Sequence, residues 1–202
     1  MNKADLLRHP VVHVDPTDFD ARPIIDAYRG MACQARNLAA AADIVDRMLA
    51  DTHCAVILTL AGSLCSAGLK DAIAVMIEHD MIDAVVSTGA NIVDQDFFEA
   101  LGYRHWQGTP RADDQQLREL AVDRIYDTYI DEDELRVCDM TIADIAGSLE
   151  PRAYSSREFI REMGAWLDDK GVKADHSLVH AAYRKDVPIF CPAFSDCSAG
   201  FG

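Results

Sequence analysis

The 202-residue chain is half hydrophobic, which supplies enough apolar material for a well-filled core and fits one domain better than two. Its formal net charge of -15 argues against binding to the backbone of a nucleic acid. No apolar run approaches the roughly 20 residues that span a bilayer, and residues 1–9 lack the apolar core of a secretory signal, so we expect a cytoplasmic protein without membrane contact.

The first half of the chain alternates helical and extended patterns. Residues 34–50 place apolar side chains at helical spacing, which predicts a helix. Residues 55–60 form a continuous apolar run of strand length. A turn of small residues follows over 61–68, and a second helix is predicted from there to about His79.

This strand, turn and helix pattern recurs immediately. A second strand is predicted over residues 82–87, a second turn over 88–91 and a helix over 96–101. Two such units in succession are typical of a doubly wound parallel sheet.

The second half of the chain is less regular at first. Residues 102–154 predict short helices and loops packed outside the sheet. Ser155 and Glu158 then form a capping box in front of an amphipathic helix. A last helix over 176–184 leads to a third strand over 187–190. Without a repeat or a flexible linker, the pattern predicts one α/β domain.

All three predicted strands end in small and polar residues, and ligands bind at the carboxyl ends of parallel strands. Gly62, Ser63 and Ser66 would let a phosphate approach the backbone, and the helix that follows would aim free N–H groups at it. The turn that begins at Thr88 repeats this arrangement. Neither turn has Gly-x-Gly-x-x-Gly spacing, so by the pattern alone tight packing explains the small residues better than phosphate binding does. Asp196 could hold a ribose hydroxyl or an amine, or cap a following helix.

Six segments, in this order, closely resemble the deoxyhypusine synthase family. They are Gln-Ala-Arg-Asn-Leu at 34–38, the turn at 62–68, Ser-Thr-Gly-Ala-Asn at 87–91, Arg-Ile-Tyr-Asp at 124–127, Tyr-Ser-Ser-Arg-Glu-Phe at 154–159, and residues 188–200. The resemblance runs over nearly the whole chain. The sequences of segments 87–91 and 195–200 resemble the bacterial deoxyhypusine synthase-like branch, which includes homospermidine-forming enzymes, more closely than the eukaryotic branch.

The resemblance implies an α/β fold with a Rossmann-like, doubly wound and mainly parallel sheet, helices on both of its faces, and an incomplete C-terminal end. Residues 1–202 would then be a single NAD-binding domain. It also implies a homotetramer, NAD as cofactor, and transfer of an aminobutyl group from spermidine to an amine acceptor, either a protein lysine or putrescine. Such chemistry requires a dinucleotide site, carboxylates for a polycation and a neutral lysine.

Position by position, the resemblance also assigns individual contacts. The NAD-binding turns fall on Gly62, Ser63, Leu64, Cys65 and Ser66 and on Thr88, Gly89 and Ala90. Of the two acids that follow, Asp94 is assigned to the substrate and Asp96 to the cofactor, while Asp196 matches an aspartate beside the cofactor ribose.

Two positions depart from the family pattern. Gly62 and Ser63 replace a Ser-Asn pair, which removes an amide side chain from the first turn. Phe201 stands where the eukaryotic enzymes have a second aspartate that contacts the polyamine. An aromatic face attracts an ammonium more weakly than a desolvated carboxylate does, so we expect polyamine recognition to be changed or supplied by other residues.

The family's catalytic lysine and the histidine near its reacting amine lie beyond the last motif present here, so we expect no catalytic residue in this chain. The lysines are Lys3, Lys70, Lys170, Lys173 and Lys185, and their polar surroundings predict solvated, protonated side chains. His176 and His180, one turn apart, indicate an ordinary helix face more than a metal site. His79 and His105 show no partner. The six cysteines lack Cys-x-x-Cys spacing, so we expect reduced thiols and no zinc.

Two functions of different classes remain open. The first is the N-terminal part of a deoxyhypusine synthase-type transferase that is inactive alone and binds NAD weakly. The second is a non-catalytic NAD-binding or oligomerising module that regulates a full-length partner. A sirtuin-type NAD fold is a weaker third reading, because the zinc-binding cysteine pairs are missing.

Overall fold

The computed structural model describes residues 2–171 and 176–201. Its α-helices are α1 (Lys3–Leu6), α2 (Arg22–Arg29), α3 (Cys33–Ala50), α4 (Lys70–Glu78), α5 (Phe98–Ala100), α6 (Asp114–Glu119), α7 (Glu132–Ser148), α8 (Ser156–Asp169), α9 (Leu178–Lys185) and α10 (Ser198–Phe201). Its strands are β1 (Ile57–Thr59), β2 (Ala84–Val86), β3 (Trp106–Gln107), β4 (Val122–Ile125), β5 (Thr128–Asp131) and β6 (Ile189–Phe190). Wider π-type helical segments, Cys65–Leu69 and Ala90–Phe97, lead into α4 and α5.

The three strands predicted from apolar runs form one parallel sheet in the order β1-β2-β6. Ile57 pairs with Ala84 and Val85 pairs with Ile189, so the first and third units flank the second. The central Val85 is fully buried, whereas Ile57 on the edge strand is 60% exposed. The α/β fold class and the parallel sheet are therefore confirmed.

One continuous core joins this sheet to helices α4, α8 and α9. Gly164 of α8 allows α9 to approach closely, because a Cβ at this position would lie 2.5 Å from Cβ of Tyr183. The predicted capping box is also present: the Ser155 hydroxyl accepts a hydrogen bond from the Glu158 N–H at 3.2 Å, and the Glu158 carboxylate accepts one from the Ser155 N–H at 2.9 Å. It starts α8 where the sequence indicated.

Residues 102–154 differ from the expectation of short helices and loops. They contain a second, antiparallel sheet in the order β3-β5-β4, followed by the 17-residue helix α7. The acidic run at 131–134 starts that helix: the Asp131 side chain accepts hydrogen bonds from the N–H groups of Asp133 and Glu134. Acidic side chains stabilise the positive end of a helix dipole, so this run marks the start of a long helix in a region where only short helices and loops were expected.

A buried cluster of charged and polar groups fastens the N-terminal segment to the core. The Glu99 carboxylate accepts hydrogen bonds from Nε2 of His13 and Nδ1 of His105, each at 2.7 Å, and lies 3.0 Å from Nζ of Lys70. These contacts hold the pKa of Glu99 well below its usual range although burial opposes this. The expectation of a solvated lysine is wrong for Lys70, and His105 does have a partner.

Helix α3 forms as predicted and packs against α2, where Ala39 is buried. Much of its remaining apolar surface faces solvent: Leu38 is 51% exposed and Ile44 is 50% exposed, and Val45 and Leu49 are also exposed. This side of the α2–α3 pair is an exposed apolar surface.

Within residues 2–171 and 176–201, no helix is both long enough and apolar enough to cross a membrane.

Candidate active site

The three predicted turns meet at the carboxyl edge of the parallel sheet. The Thr88 hydroxyl of the second turn donates a hydrogen bond to the carbonyl of Gly62 in the first turn, at 3.1 Å. Gly89 lies against the segment after β6, because a Cβ there would be 2.9 Å from Cβ of Cys197. In the same segment, Ser198 donates to Asp94, just beyond the second turn. Residues far apart in sequence therefore meet at one edge of the sheet.

The first turn does not offer the free N–H groups that we expected. The N–H groups of Leu64 and Cys65 both donate to Oδ1 of Asn91, at 2.8 and 3.3 Å. The N–H group of Ser66 donates to Oε1 of Gln95 at 2.9 Å. Because side chains of the neighbouring segment already accept these bonds, the expected phosphate contacts at this helix start are already occupied.

The predicted cofactor contacts differ in their access to solvent. Gly62 is exposed and has a left-handed φ of +59°, and no atom lies within 4 Å of the place where a Cβ would stand. Ser63, Leu64, Thr88 and Ala90 are partly exposed, whereas Cys65, Ser66 and Gly89 are buried. Burial raises the pKa of the Cys65 thiol well above its ordinary value, so that thiol stays protonated. Among the residues of the two turns that are predicted to contact NAD, Gly62 is the exposed one.

Two aspartates form an acid pair beside these turns. The Ser198 hydroxyl lies 3.1 Å from Oδ1 of Asp94 and 2.5 Å from Oδ1 of Asp139, and the Ser198 N–H also donates to Asp94. Burial, with a smaller contribution from the neighbouring Asp139 carboxylate, raises the pKa of Asp94 to about 6. Burial also raises the pKa of Asp139. One hydroxyl proton cannot serve two carboxylates, so the pair favours an added proton or cation.

Asp139 was not singled out in the sequence. It lies in the middle of α7, a helix that the irregular pattern of residues 102–154 did not reveal. The residues around Asp139 form no recognisable motif. Only the packing of α7 against α10 brings its carboxylate to Ser198. No local signal in the sequence would have found it.

Asp96, assigned to the cofactor by resemblance, lies away from this acid pair. Its fully buried carboxylate accepts hydrogen bonds from the Ser177 hydroxyl and from the N–H groups of Leu178 and Val179, at 2.7 to 2.9 Å. It therefore caps the start of α9. By contrast, Asp196 is exposed at the end of the short helical turn after β6, and it is not the residue that precedes α10, which is Cys197.

The remaining candidates are placed as follows. Lys173 and the side chain of Phe201 lie outside the described residues. His180 lies 3.1 Å from Asp168, and His176 is 4.0 Å from Glu78. In the described part of the chain, no three His, Cys, Asp or Glu side chains are grouped so that they could hold a metal ion.

Comparison with known proteins agrees with this architecture. The family model for deoxyhypusine synthase matches residues 23–202. The chain is 65% identical over 202 residues to a deoxyhypusine synthase-like protein of Chlorobaculum parvum, and 58% identical over 200 residues to one of Coxiella burnetii. The two matches extend over 100% and 99% of this chain but over only 57% of each relative.

A solved structure shares the fold. A candidate deoxyhypusine synthase from Entamoeba histolytica superposes with a TM-score of 0.62 and 20% identity, covering 94% of this chain and 64% of that one. The mixed α/β architecture around a parallel sheet is thus found in a solved protein. From the match over residues 23–202 and the identity to its bacterial relatives, the chain belongs to the deoxyhypusine synthase family.

Proposed function

We propose that this chain is the cofactor-binding part of an NAD-dependent transferase that moves an aminobutyl group from spermidine to an amine acceptor, a protein lysine or putrescine. The observation that carries the proposal is the family match over residues 23–202. The chain spans 57% of the length of the Chlorobaculum parvum relative. On the resemblance to the family, we propose that the transfer itself needs residues from the part of such relatives that this chain does not match. We further propose a cytoplasmic location.

The NAD contacts that we propose lie on the open edge of the site. Gly62 and Ser63 would face the diphosphate, because Asn91 and Gln95 bind the N–H groups of Leu64, Cys65 and Ser66 and not those of Gly62 and Ser63. Asp196 would accept hydrogen bonds from ribose hydroxyls, as its exposed carboxylate allows. Thr88 and Ala90 would complete the edge. NAD, when bound, would accept a hydride from the carbon beside the secondary amine of spermidine and later return it. Asp96 is left out because its carboxylate caps α9.

The acid pair of Asp94 and Asp139 would bind an ammonium group of the polyamine. Its two carboxylates share one serine hydroxyl and are each partly buried, so a cation there would meet two acceptors with less competition from water than at a fully exposed site. An ammonium would also relieve the repulsion that helps to raise the pKa of Asp94. This extends the substrate contact proposed at Asp94 to a second residue.

A fusion protein tests the proposed function directly. The 202 residues would be joined to the part of the Chlorobaculum parvum relative that they do not cover, and the product incubated with spermidine, NAD and putrescine. We expect mass spectrometry to detect diaminopropane and homospermidine from the fused protein and neither from the chain alone. A folded fusion that consumes no spermidine, with putrescine or with a protein lysine acceptor, would contradict the proposed function. Turnover by the chain alone would contradict its inactivity.

We also propose that copies of the chain associate. The exposed apolar side of α3, with Leu38, Ile44 and Val45, favours a surface that is buried in an assembly. The same surface supports the alternative function, a non-catalytic module bound to a full-length partner. Light scattering of the fused protein, together with the activity assay above, separates the two functions. A homo-oligomer with transferase activity supports the enzyme, and an inactive fusion that assembles supports the module.

A further inference from the structure

We infer that Asn91 and Gln95 are positioning residues that hold the first NAD-binding turn in the shape required for the cofactor. The inference rests on the proposed function for its consequence, but not for its geometry. Both amide side chains are fully buried, and both lie on the wide helical segment that follows the second turn. They reach across to the first turn and bind its backbone.

Asn91 connects the two turns at both ends of its amide. Its Oδ1 accepts hydrogen bonds from the N–H groups of Leu64 and Cys65, and its Nδ2 donates to the Thr88 hydroxyl at 3.1 Å. That hydroxyl in turn donates to the carbonyl of Gly62. One side chain therefore fixes the first turn at its beginning, through Thr88, and in its middle directly.

Gln95 continues this support one turn further along. Its Oε1 accepts from the N–H group of Ser66 at 2.9 Å, while its Nε2 is buried without a partner in the described part of the chain. A buried donor left unpaired disfavours folding. The bond from Ser66 to the amide oxygen is therefore the favourable hydrogen bond that this side chain makes. Together the two amide oxygens satisfy three consecutive N–H groups of the turn.

These amide oxygens occupy the place that an anion takes at many nucleotide-binding helix starts. The cofactor must then approach the turn from Gly62 and Ser63, which the two amides leave open. Losing the Asn91 side chain would free two N–H groups and remove the amide that binds the Thr88 hydroxyl, which itself holds the carbonyl of Gly62, so the open edge would lose part of its fixed shape. The same residues would thus set both the geometry and the direction of cofactor binding.

Amide hydrogen exchange of the 202-residue chain, followed by NMR, tests the geometry without any ligand. In Asn91→Leu we expect exchange at Leu64 and Cys65 to quicken about tenfold, with Ser66 changed by less than about twofold. In Gln95→Met we expect the reverse pattern. The two variants serve as matched controls for each other, and the amide of Ile77 in α4 reports general loosening. Equal exchange in variant and parent, or a uniform rise that includes Ile77, would overturn the inference.

The fused protein tests the consequence. We expect Asn91→Leu to raise KM for NAD about tenfold while kcat falls less, and Asn91→Asp, which keeps the acceptor oxygen, to restore most of the affinity. An unchanged KM in Asn91→Leu would overturn the positioning role. Asn91→Asp also decides the question if the leucine variant fails to fold, because it must protect Leu64 and Cys65 from exchange as the parent does. If the parent fusion binds no NAD, the proposed function fails, whereas the exchange pattern still decides the geometry.

Discussion

Replacing Asp94 with asparagine should make the folded chain more stable, even though we propose that Asp94 binds substrate. Burial and the nearby Asp139 carboxylate raise the pKa of Asp94 from its ordinary value of 3.8 to about 6. A raised carboxyl pKa means that the folded state favours the protonated group. The stability that protonated Asp94 contributes is therefore present at low pH and is lost as pH rises from 3.8 to about 6. At about pH 8 the ionised Asp94 costs the folded chain about 3 kcal/mol, or about 2 after screening at its partly exposed side.

Asparagine keeps the oxygen that accepts the two Ser198 hydrogen bonds and removes the charge. We therefore expect Asp94→Asn to raise the free energy of unfolding by about 2 kcal/mol at about pH 8 and by little at about pH 4. Urea denaturation at the two pH values measures this, with Asp144→Asn, an exposed site on the same helix as Asp139, as the control. A gain of the same size at both pH values, or a loss at pH 8, would refute the reasoning. In the fused protein, the same variant should have a higher KM for spermidine.

Three further substitutions test other parts of the structure. Glu99→Gln should lower the free energy of unfolding by about 3 kcal/mol at neutral pH and by less in acid, because the low pKa of Glu99 stabilises the fold only above the pH at which a free carboxyl ionises; urea denaturation at both pH values checks this. Asp96→Ala should cost about 3 kcal/mol in the same assay, since it leaves the buried N–H groups that start α9 unpaired. Gly164→Ala should lower the free energy of unfolding by about 2 kcal/mol, because the added Cβ clashes with Tyr183. Gly147→Ala, with open space around it, should leave the melting temperature unchanged or raise it slightly.

The sheet and its helices were largely predictable because their signals are local. Continuous apolar runs marked β1, β2 and β6, and the Ser155 capping box marked the start of α8. The small antiparallel sheet was not predicted, because its strands, unlike β1, β2 and β6, lie in segments with neither a continuous apolar run nor a sustained alternation of polar and apolar side chains. Strands without such a pattern depend on their pairing partners, which a local sequence pattern does not show.

The candidate site was predicted in part. The turns at Gly62 and Thr88 and the residue Asp196 were located from the small and polar residues that end each strand, and the structure brings these three turns together. The pairing of Asp94 with Asp139 was not predictable, because 45 residues separate them and only tertiary packing joins them through Ser198.

By itself the sequence determined the α/β class, the three strands of the parallel sheet and the family to which the chain belongs, because these depend on hydrophobic runs and on motifs along the chain. Tertiary structure alone decided what each polar group is free to do. Asp96 became a helix cap, Lys70 a buried ion-pair partner, and Asn91 an acceptor for the N–H groups that a phosphate was expected to meet. Hydrogen bonds and desolvation depend on which groups meet in space, and chain distance does not reveal that.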